Sequence, residues 1–157
     1  MNRVAVNAEE IPLPPWTDAV YRYALKVLEE LGKNNWDLSV LFCNDAYIRS
    51  LNARYRRKNE ATDVLSFSLG ETLDGEGGET RFLPGDIVIS LETLRENARY
   101  FETPEDEELR RLLIHGILHL NGMDHTTNEI TEPMIGLQEK ILTDLAGEFI
   151  LPAKAVP

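Results

Sequence analysis

The segment His115-Gly-Ile-Leu-His119-Leu-Asn-Gly122-Met-Asp124-His125 holds all three histidines of this 157-residue chain. Since a helix turns by about 100° per residue, the imidazoles of His115 and His119 lie on the same face, one turn apart. Gly122 can adopt the left-handed conformation that ends a helix and turns the chain back, which brings His125 to the same point. Three neutral imidazoles with a fourth position open are typical of a catalytic zinc. The segment therefore predicts a metal-dependent hydrolase.

The apolar neighbours of the histidines favour metal binding over a purely structural role. They make the helix apolar on nearly every side, so it is expected to be buried: Leu112, Leu113, Ile114, Ile117, Leu118 and Leu120. Buried ring nitrogens need partners, because unpaired buried polar groups are costly, and one shared cation satisfies several at once. The structural alternative is a set of packed, hydrogen-bonded histidines whose spacing arose by chance.

Gly116 separates this segment from the zinc peptidases. The spacing matches the pattern H-E-x-x-H-x-x-G-x-x-H, but Gly116 stands where those enzymes carry the glutamate that acts as general base. A glycine has no side chain that accepts a proton. Peptide hydrolysis is therefore the second interpretation rather than the first.

Length and composition limit the class of protein. A chain of 157 residues is expected to form one domain with a substantial core. Its one cysteine, Cys43, excludes an internal disulfide, fits a reducing compartment and, at the end of an apolar strand pattern, is expected to be unreactive. No stretch approaches the roughly 20 apolar residues that span a bilayer, and no secretory signal is visible, so we expect a cytoplasmic protein without a membrane partner.

The charge distribution leaves nucleic-acid binding open. The formal net charge of −11, from 16 basic and 27 acidic residues, argues against a phosphate-binding surface. However, residues 54–58 read Arg-Tyr-Arg-Arg-Lys and concentrate four basic side chains in five positions. Such a cluster is either a solvated face at the end of a helix or a contact surface for RNA.

Hydrophobic spacing predicts an α+β fold. Four strands are expected, at Val4–Val6, Leu38–Cys43, Asp63–Leu69 and Asp86–Ser90. Five helices are expected: residues 15–31, a helix capped by Asn44 or Asp45, Leu91–Phe101, a helix with Thr103 as cap and Pro104 at its first position that carries the histidines, and one from Pro133 to near Gly147. The glycine-rich, acidic stretch Gly70–Glu79 is expected to be a mobile loop. Together these elements predict a single domain over residues 1–157, with a roughly four-stranded mixed sheet packed by about five helices.

Four segments in the right order resemble the YbeY family of bacterial endoribonucleases and ribosomal RNA maturation factors. Besides the histidine segment they are Leu51-Asn-Ala-Arg-Tyr-Arg56, Thr62-Asp-Val-Leu-Ser-Phe67 and Gly85-Asp-Ile-Val-Ile89. The resemblance covers roughly residues 36–145. Small departures at Ala61, Ser68 and Met123 concern loop geometry and substrate preference, and none affects a histidine.

The resemblance implies a set of site residues. His115, His119 and His125 carry over as ligands of one zinc ion, or of another divalent transition metal. Arg56 carries over as the functional arginine, whose guanidinium can hold two oxygens of the scissile phosphate. Asp124 has three open roles: orienting a ligand histidine, accepting a proton from water, or shaping the turn.

The resemblance also implies a function. It indicates a single-strand-specific, metal-dependent endoribonuclease that acts in ribosomal RNA processing, at the 3′ end of the small-subunit RNA, and in ribosome quality control. The implied partners are single-stranded RNA, ribosomal RNA, the small ribosomal subunit and its assembly factors. Two alternatives remain: a metal hydrolase of another substrate such as peptide, and a non-catalytic ribosome assembly factor with a structural zinc.

Overall fold

Four strands form one mixed sheet in the computed structural model, which describes residues 1–152. The strands are β1 (Arg3–Ala8), β2 (Asp37–Cys43), β3 (Val64–Asp74) and β4 (Thr80–Ser90). Their order across the sheet is β1-β2-β4-β3. β1, β2 and β4 run parallel, and β3 pairs antiparallel with β4 at one edge. The predicted four-stranded mixed sheet is confirmed.

Five helices pack on this sheet, as predicted. They are α1 (Thr17–Glu30), α2 (Asp45–Arg56), α3 (Leu91–Tyr100), α4 (Glu105–Leu120) and α5 (Pro133–Asp144). Of the two candidate caps for α2, Asn44 takes the role, because its side chain accepts a hydrogen bond from the Tyr47 amide at 2.9 Å. α5 ends before the predicted boundary near Gly147. Within residues 1–152, no helix is long and apolar enough to cross a bilayer.

The predicted start of α4 is wrong by one residue. The cap position is occupied by Pro104, whose backbone is extended, and the helix begins at Glu105. Thr103 does not cap the helix, since its hydroxyl donates to the Phe101 carbonyl at 3.3 Å within the preceding turn. Acidic side chains in the first turn of α4 instead face the positive end of the helix dipole.

The interpretation of Gly70–Glu79 as a loop is wrong for half of its length. β3 continues to Asp74 and pairs with β4 beyond a bulge between Ser68 and Glu71, which leaves only a short turn after Asp74. This part of β3 is exposed on both faces, so it lacks the apolar alternation that identifies a strand. Gly85 is needed opposite the bulge, because its φ is +135° and an added Cβ would overlap the Phe67 carbonyl oxygen.

The sheet is covered on both faces by different helices. Leu38, Val40 and Phe42 of β2 belong to the main core, which also receives the apolar sides of α1, α4 and α5. Cys43 points to the opposite face, into a smaller cluster with Ile48 of α2. The Cys43 thiol is fully buried, and burial raises its pKa to about 12. α2 and α4 therefore lie on opposite faces of the sheet, and both reach its β3 edge.

Candidate metal centre

α4 presents two histidines to the same point, and the following turn adds the third. One ring nitrogen from each of His115, His119 and His125 lies within 4.8 Å of the other two. The Nε2 atoms of His115 and His119 are 3.1 Å apart. Among residues 1–152, no other group of three histidine, cysteine or carboxylate side chains has ligand atoms this close together. The predicted cluster of three histidines is therefore present.

Hydrogen bonds on the far side of each ring fix its tautomer. The Nδ1 atom of His119 is 3.1 Å from the Met123 carbonyl oxygen, and that of His125 is 2.9 Å from the Thr127 carbonyl oxygen. A carbonyl oxygen only accepts, so each Nδ1 carries the proton and each Nε2 keeps its lone pair.

His115 is fixed by a side chain rather than by the backbone. Its Nδ1 lies 2.7 Å from Oε1 of the buried Gln138. The orientation of this amide follows from its other end, because Gln138 Nε2 donates to Glu139 at 3.1 Å. Arg111 in turn donates to both carboxylate oxygens of Glu139. Gln138, Glu139 and Arg111 thus form a hydrogen-bonded series that orients the His115 ring, as is usual for metal-binding histidines.

The donor set fits a zinc ion. Two Nε2 lone pairs 3.1 Å apart repel each other unless a cation or a proton lies between them. Zinc–nitrogen bonds of about 2.0–2.1 Å in a tetrahedral site place neighbouring nitrogens about 3.3 Å apart, close to the observed separation. Burial lowers the pKa of both His115 and His119, and the nearby histidines lower it further. Both rings are therefore held in the neutral form that a metal requires.

The turn that delivers His125 has the predicted geometry. Gly122 has a φ of +87°, and its amide donates to the His119 carbonyl at 3.0 Å. The next amide, of Met123, donates to the Leu118 carbonyl at 3.0 Å, so paired bonds close the end of α4. This left-handed residue reverses the chain and brings His125 back over α4.

The Asp124 side chain stabilises the turn and does not bind a histidine ring. Its Oδ1 accepts the His125 backbone amide at 2.8 Å. The Nδ1 atoms of the three histidines are bonded to other groups, so the orienting role considered for Asp124 is not observed. The carboxylate nevertheless lines the same cleft as His119 and Arg56.

Arg56 reaches the histidines around the edge of the sheet. It ends α2 on the opposite face, and its guanidinium lies against β3. Nη2 donates to the Ser66 carbonyl at 2.6 Å, and Cζ lies 5.6 Å from the centre of the Phe67 ring. It lines a cleft of about 440 Å³ that we name the arginine cleft. The cleft is bounded by Arg56, Val64, Leu65, Ser66, Ser68, His115, His119, Gly122, Met123 and Asp124. No other member of the 54–58 cluster lines it.

A second cleft, of about 650 Å³, opens on the other side of His115. We name it the acidic cleft, after Asp63, Glu108 and Glu139 in its wall. The other lining residues are Val64, Phe101, Thr103, Arg111, Leu112, His115, His125, Asn128, Ile130, Ile135 and Gln138. Sequence reasoning missed this cleft and left Asp63 out of the site. One signal for Gln138 was available, since it is a polar residue on the apolar face of α5, between Met134 and Ile141.

Gly116 is required by packing. A Cβ at this position would lie 2.9 Å from both Cδ1 and Cγ2 of Ile87, a fully buried residue of β4. α4 therefore approaches the sheet too closely for any side chain here. The general base of the zinc peptidases has no room at this point of the helix.

Comparison with known proteins identifies the family of this chain. Residues 4–146 match the sequence profile of the family described as endoribonuclease YbeY. Relatives of that name include one from Treponema denticola, 51% identical over 143 residues that cover 90% of this chain and 92% of the relative. Another, from Borrelia turicatae, is 42% identical over 143 residues, covering 90% and 94%. The solution structure of a Thermotoga maritima protein matches with a TM-score of 0.58 and 27% identity, over 92% of this chain and 90% of that one. This chain belongs to the endoribonuclease YbeY family.

Proposed function

We propose that this protein is a zinc-dependent endoribonuclease that cuts single-stranded RNA during ribosomal RNA processing. One observation supports the chemistry most directly: Arg56 lines the same cleft as His115 and His119, although it comes from a helix on the opposite face of the sheet. A cation that binds phosphate and a metal centre that acts on it are the two elements phosphodiester hydrolysis needs.

Arg56 is suited to hold the scissile phosphate. Its Nη2 is engaged by the Ser66 carbonyl, which orients the guanidinium, while no acceptor within residues 1–152 lies within hydrogen-bond distance of Nε or Nη1. These remaining N–H groups can donate to phosphate oxygens in the forked geometry that arginine offers. Arg56 then neutralises charge on the phosphate and positions it beside His119.

His115, His119 and His125 would hold the zinc through their Nε2 atoms. A bound zinc ion acts as a Lewis acid on phosphate oxygens and makes water a stronger nucleophile at neutral pH. Asp124 has one carboxylate oxygen engaged by the His125 amide, so its Oδ2 is the atom that would accept a proton at the rim of the cleft. Gly116 offers no alternative base.

The shape of the site supports a preference for single strands. The histidines lie between two clefts, so a nucleotide chain must pass between walls to bring its phosphate to them. Paired and stacked bases cannot spread into such clefts, whereas the bases of a single strand can. From the family resemblance we also propose ribosomal RNA and the small ribosomal subunit with its assembly factors as partners, and the cytoplasm as the location.

The test is cleavage of an unstructured RNA by purified protein, with and without a metal chelator. We expect slow cleavage that stops on chelation and no digestion of casein-like peptides. Arg56→Ala is expected to lower activity roughly 100-fold, and Arg56→Lys to restore little of it. Arg54→Ala is the matched control, because Arg54 lies exposed on the same helix and outside the cleft. Equal activity of all these variants would remove Arg56 from the mechanism.

Contaminating ribonuclease is excluded by a variant prepared in the same way. His119→Ala removes one ligand of the metal centre and is expected to leave no RNA cleavage above background. Cleavage by this variant at the wild-type rate would mean that the nuclease is foreign. The assembly-factor interpretation, with a structural zinc, would then replace the enzymatic one.

A further inference from the structure

We propose that the acidic cleft is a nucleobase subsite, which receives a base next to the scissile phosphate and favours guanine through the carboxylate of Glu108. This proposal rests on the proposed function, since it assigns a further part of the same RNA to a further part of the same site. It concerns the side of His115 that faces away from Arg56.

The position of the acidic cleft is suitable for a neighbouring nucleotide. His115 lines both clefts, so a phosphate at the histidines has the arginine cleft on one side and the acidic cleft on the other. A volume of about 650 Å³ lies within the range of small-molecule sites. One nucleotide whose phosphate is at the metal centre can therefore place its base in the acidic cleft.

The charge of the acidic cleft excludes a second phosphate site. Its walls carry the carboxylates of Asp63, Glu108 and Glu139, and their single basic partner in the wall is Arg111. Arg111 is already neutralised by ion pairs with three glutamates, among them Glu108 at 3.5 Å and Glu139 at 3.1 Å. Such walls repel phosphate but accept hydrogen bonds from the N–H groups of bases.

A cation site in the acidic cleft is not supported. Within residues 1–152, only the three histidines bring three ligand atoms within 4.8 Å of one another, so the carboxylates of the cleft do not converge on one ion. They are spread along the wall, with Asp63 at the start of the β3 edge and Glu139 on α5. Separate acceptors along a wall suit an extended planar ligand better than a point charge.

Glu108 is the carboxylate best placed to recognise a base by accepting its hydrogen bonds. The residue is only 8% exposed, and its Oε2 receives one long hydrogen bond, 3.5 Å, from Arg111. In the described part of the chain, no donor lies within hydrogen-bond distance of its Oε1. Burial raises the pKa of this carboxyl, as expected for a carboxylate with few donors.

Guanine matches a carboxylate better than the other bases do. Its N1–H and N2–H groups are adjacent donors on one edge, so they can donate in parallel to the two oxygens of a carboxylate. Adenine and cytosine offer one amino group beside an acceptor, and uracil offers one imino group between two carbonyls. The order of preference is therefore guanine first and uracil last.

Phe101 provides the stacking surface that a single-stranded base needs. Its ring lines the acidic cleft although the residue is 64% exposed. The neighbouring Tyr100 contacts it edge to face, with ring centroids 4.9 Å apart, which limits the orientations of the Phe101 ring. Exposed aromatic rings at the mouth of a cleft are the usual platforms for unpaired bases.

The experiment uses four labelled RNAs of ten nucleotides that are uridine at every position except the fifth, which is G, A, C or U. Binding is measured by fluorescence anisotropy in chelator, where no cleavage occurs, and cleavage is measured separately with zinc. For wild-type protein we expect the G-containing RNA to bind roughly tenfold tighter than the all-uridine RNA. With zinc, its cleavage is expected to concentrate at one fixed position relative to the guanosine.

Two variants and two matched controls locate the effect. Glu108→Gln replaces paired acceptors with one acceptor and one donor, so the preference for guanosine should be lost. Phe101→Ala should weaken binding of all four RNAs roughly tenfold, because it removes stacking. Glu107→Gln and Phe149→Ala should behave as wild type, since Glu107 also contacts Arg111 and Phe149 is also an exposed aromatic residue, but neither lines the cleft.

The outcomes separate this proposal from the proposed function. Cleavage without any base preference, unchanged in Glu108→Gln and Phe101→Ala, would overturn the subsite and leave the nuclease intact. Guanosine-dependent binding that is lost in Glu108→Gln, without any cleavage by wild type, would support the subsite and overturn the nuclease. Neither binding preference nor cleavage would overturn both. Circular dichroism of each variant establishes that it is folded before either assay.

Discussion

The metal centre combines two regions of different construction, the helix that carries His115 and His119 and the turn that carries His125. On α4, the residues around the histidines are buried, and Gly116 lies against β4 with no room for a side chain. After the turn at Gly122, residues 126–131 are exposed, and most of the hydrogen bonds within this segment are accepted by the side chain of Glu132.

This difference indicates how the site forms. The two helical ligands are positioned by the folding of the core, so their spacing is fixed before a metal binds. The third ligand depends on a short exposed segment, and such segments open locally at lower free energy than a core helix. We therefore expect the helix to determine whether the metal binds at all and the turn to determine how tightly it is held.

The largest effect is expected from Gly116→Glu, which disrupts the packing of α4 against β4. The new Cβ alone would overlap Ile87, and a carboxylate would be buried without a partner, so several kcal/mol of stability should be lost. Thermal unfolding followed by circular dichroism measures this loss. Gly147→Glu is the control, because a Cβ at Gly147 meets nothing within 4 Å. A melting temperature near that of wild type, or the appearance of peptidase activity, would contradict the packing argument.

Removal of one histidine from each region compares the two halves directly. His119→Ala is expected to reduce the metal content from about one ion per chain to none, measured by native mass spectrometry. It should also abolish stabilisation by added zinc, about 4 kcal/mol when zinc is a thousandfold above its dissociation constant. His125→Ala leaves the helical pair in place and should still bind zinc, but more weakly. Full occupancy in His119→Ala would show that the three histidines are not the site.

A smaller effect is expected from Gln138→Leu, which leaves all three histidines in place but removes the hydrogen-bond partner of His115. His115 Nδ1 would lose its acceptor, so the ring would be less well oriented, and zinc affinity should fall roughly 10–100-fold. Competition with a chromophoric chelator measures this affinity. Lys140→Leu changes an exposed residue of the same helix and should have no effect. Unchanged affinity in Gln138→Leu would mean that packing alone orients His115.

The smallest effect concerns the metal-free protein below neutral pH. Burial lowers the pKa of His115 and His119, so the unfolded chain binds more protons than the folded one at these positions. Stability should therefore decrease as the pH falls through the unfolded-state value of about 6.5. Chemical unfolding in chelator at pH 7.5 and 5.5 measures the change. Replacement of both histidines with glutamine should remove this part of the pH dependence, and an unaltered dependence would exclude them as its source.

The features that the sequence predicted are those that depend on neighbouring residues. The three histidines lie within eleven positions, and one helix with one glycine turn brings them together. The strands and helices with strong apolar spacing were also predicted correctly. The outer half of β3 was not, because it is held by backbone pairing with β4 and its own side chains are exposed, without an apolar face.

The features that the sequence did not predict depend on long-range packing. Arg56 lines the same cleft as His115 and His119 only because α2 and α4 reach the same sheet edge from opposite faces. From the sequence, Arg56 was assigned to the site by family resemblance alone. Gln138 is 23 residues from His115 along the chain, so its role depends on how α5 packs against α4. The acidic cleft is formed by side chains from several elements, and no local pattern identifies it.

The rate at which a reagent modifies the Cys43 thiol can report how often the molecule opens locally. Its thiol is inaccessible and resists ionisation, so a thiol reagent can modify it only while the surrounding cluster is open. That cluster joins α2 to the sheet, and α2 is the helix that ends in Arg56. The rate of labelling at this single thiol would therefore report how often α2 leaves the sheet. Comparison with the global unfolding rate would tell whether α2 opens independently of α4.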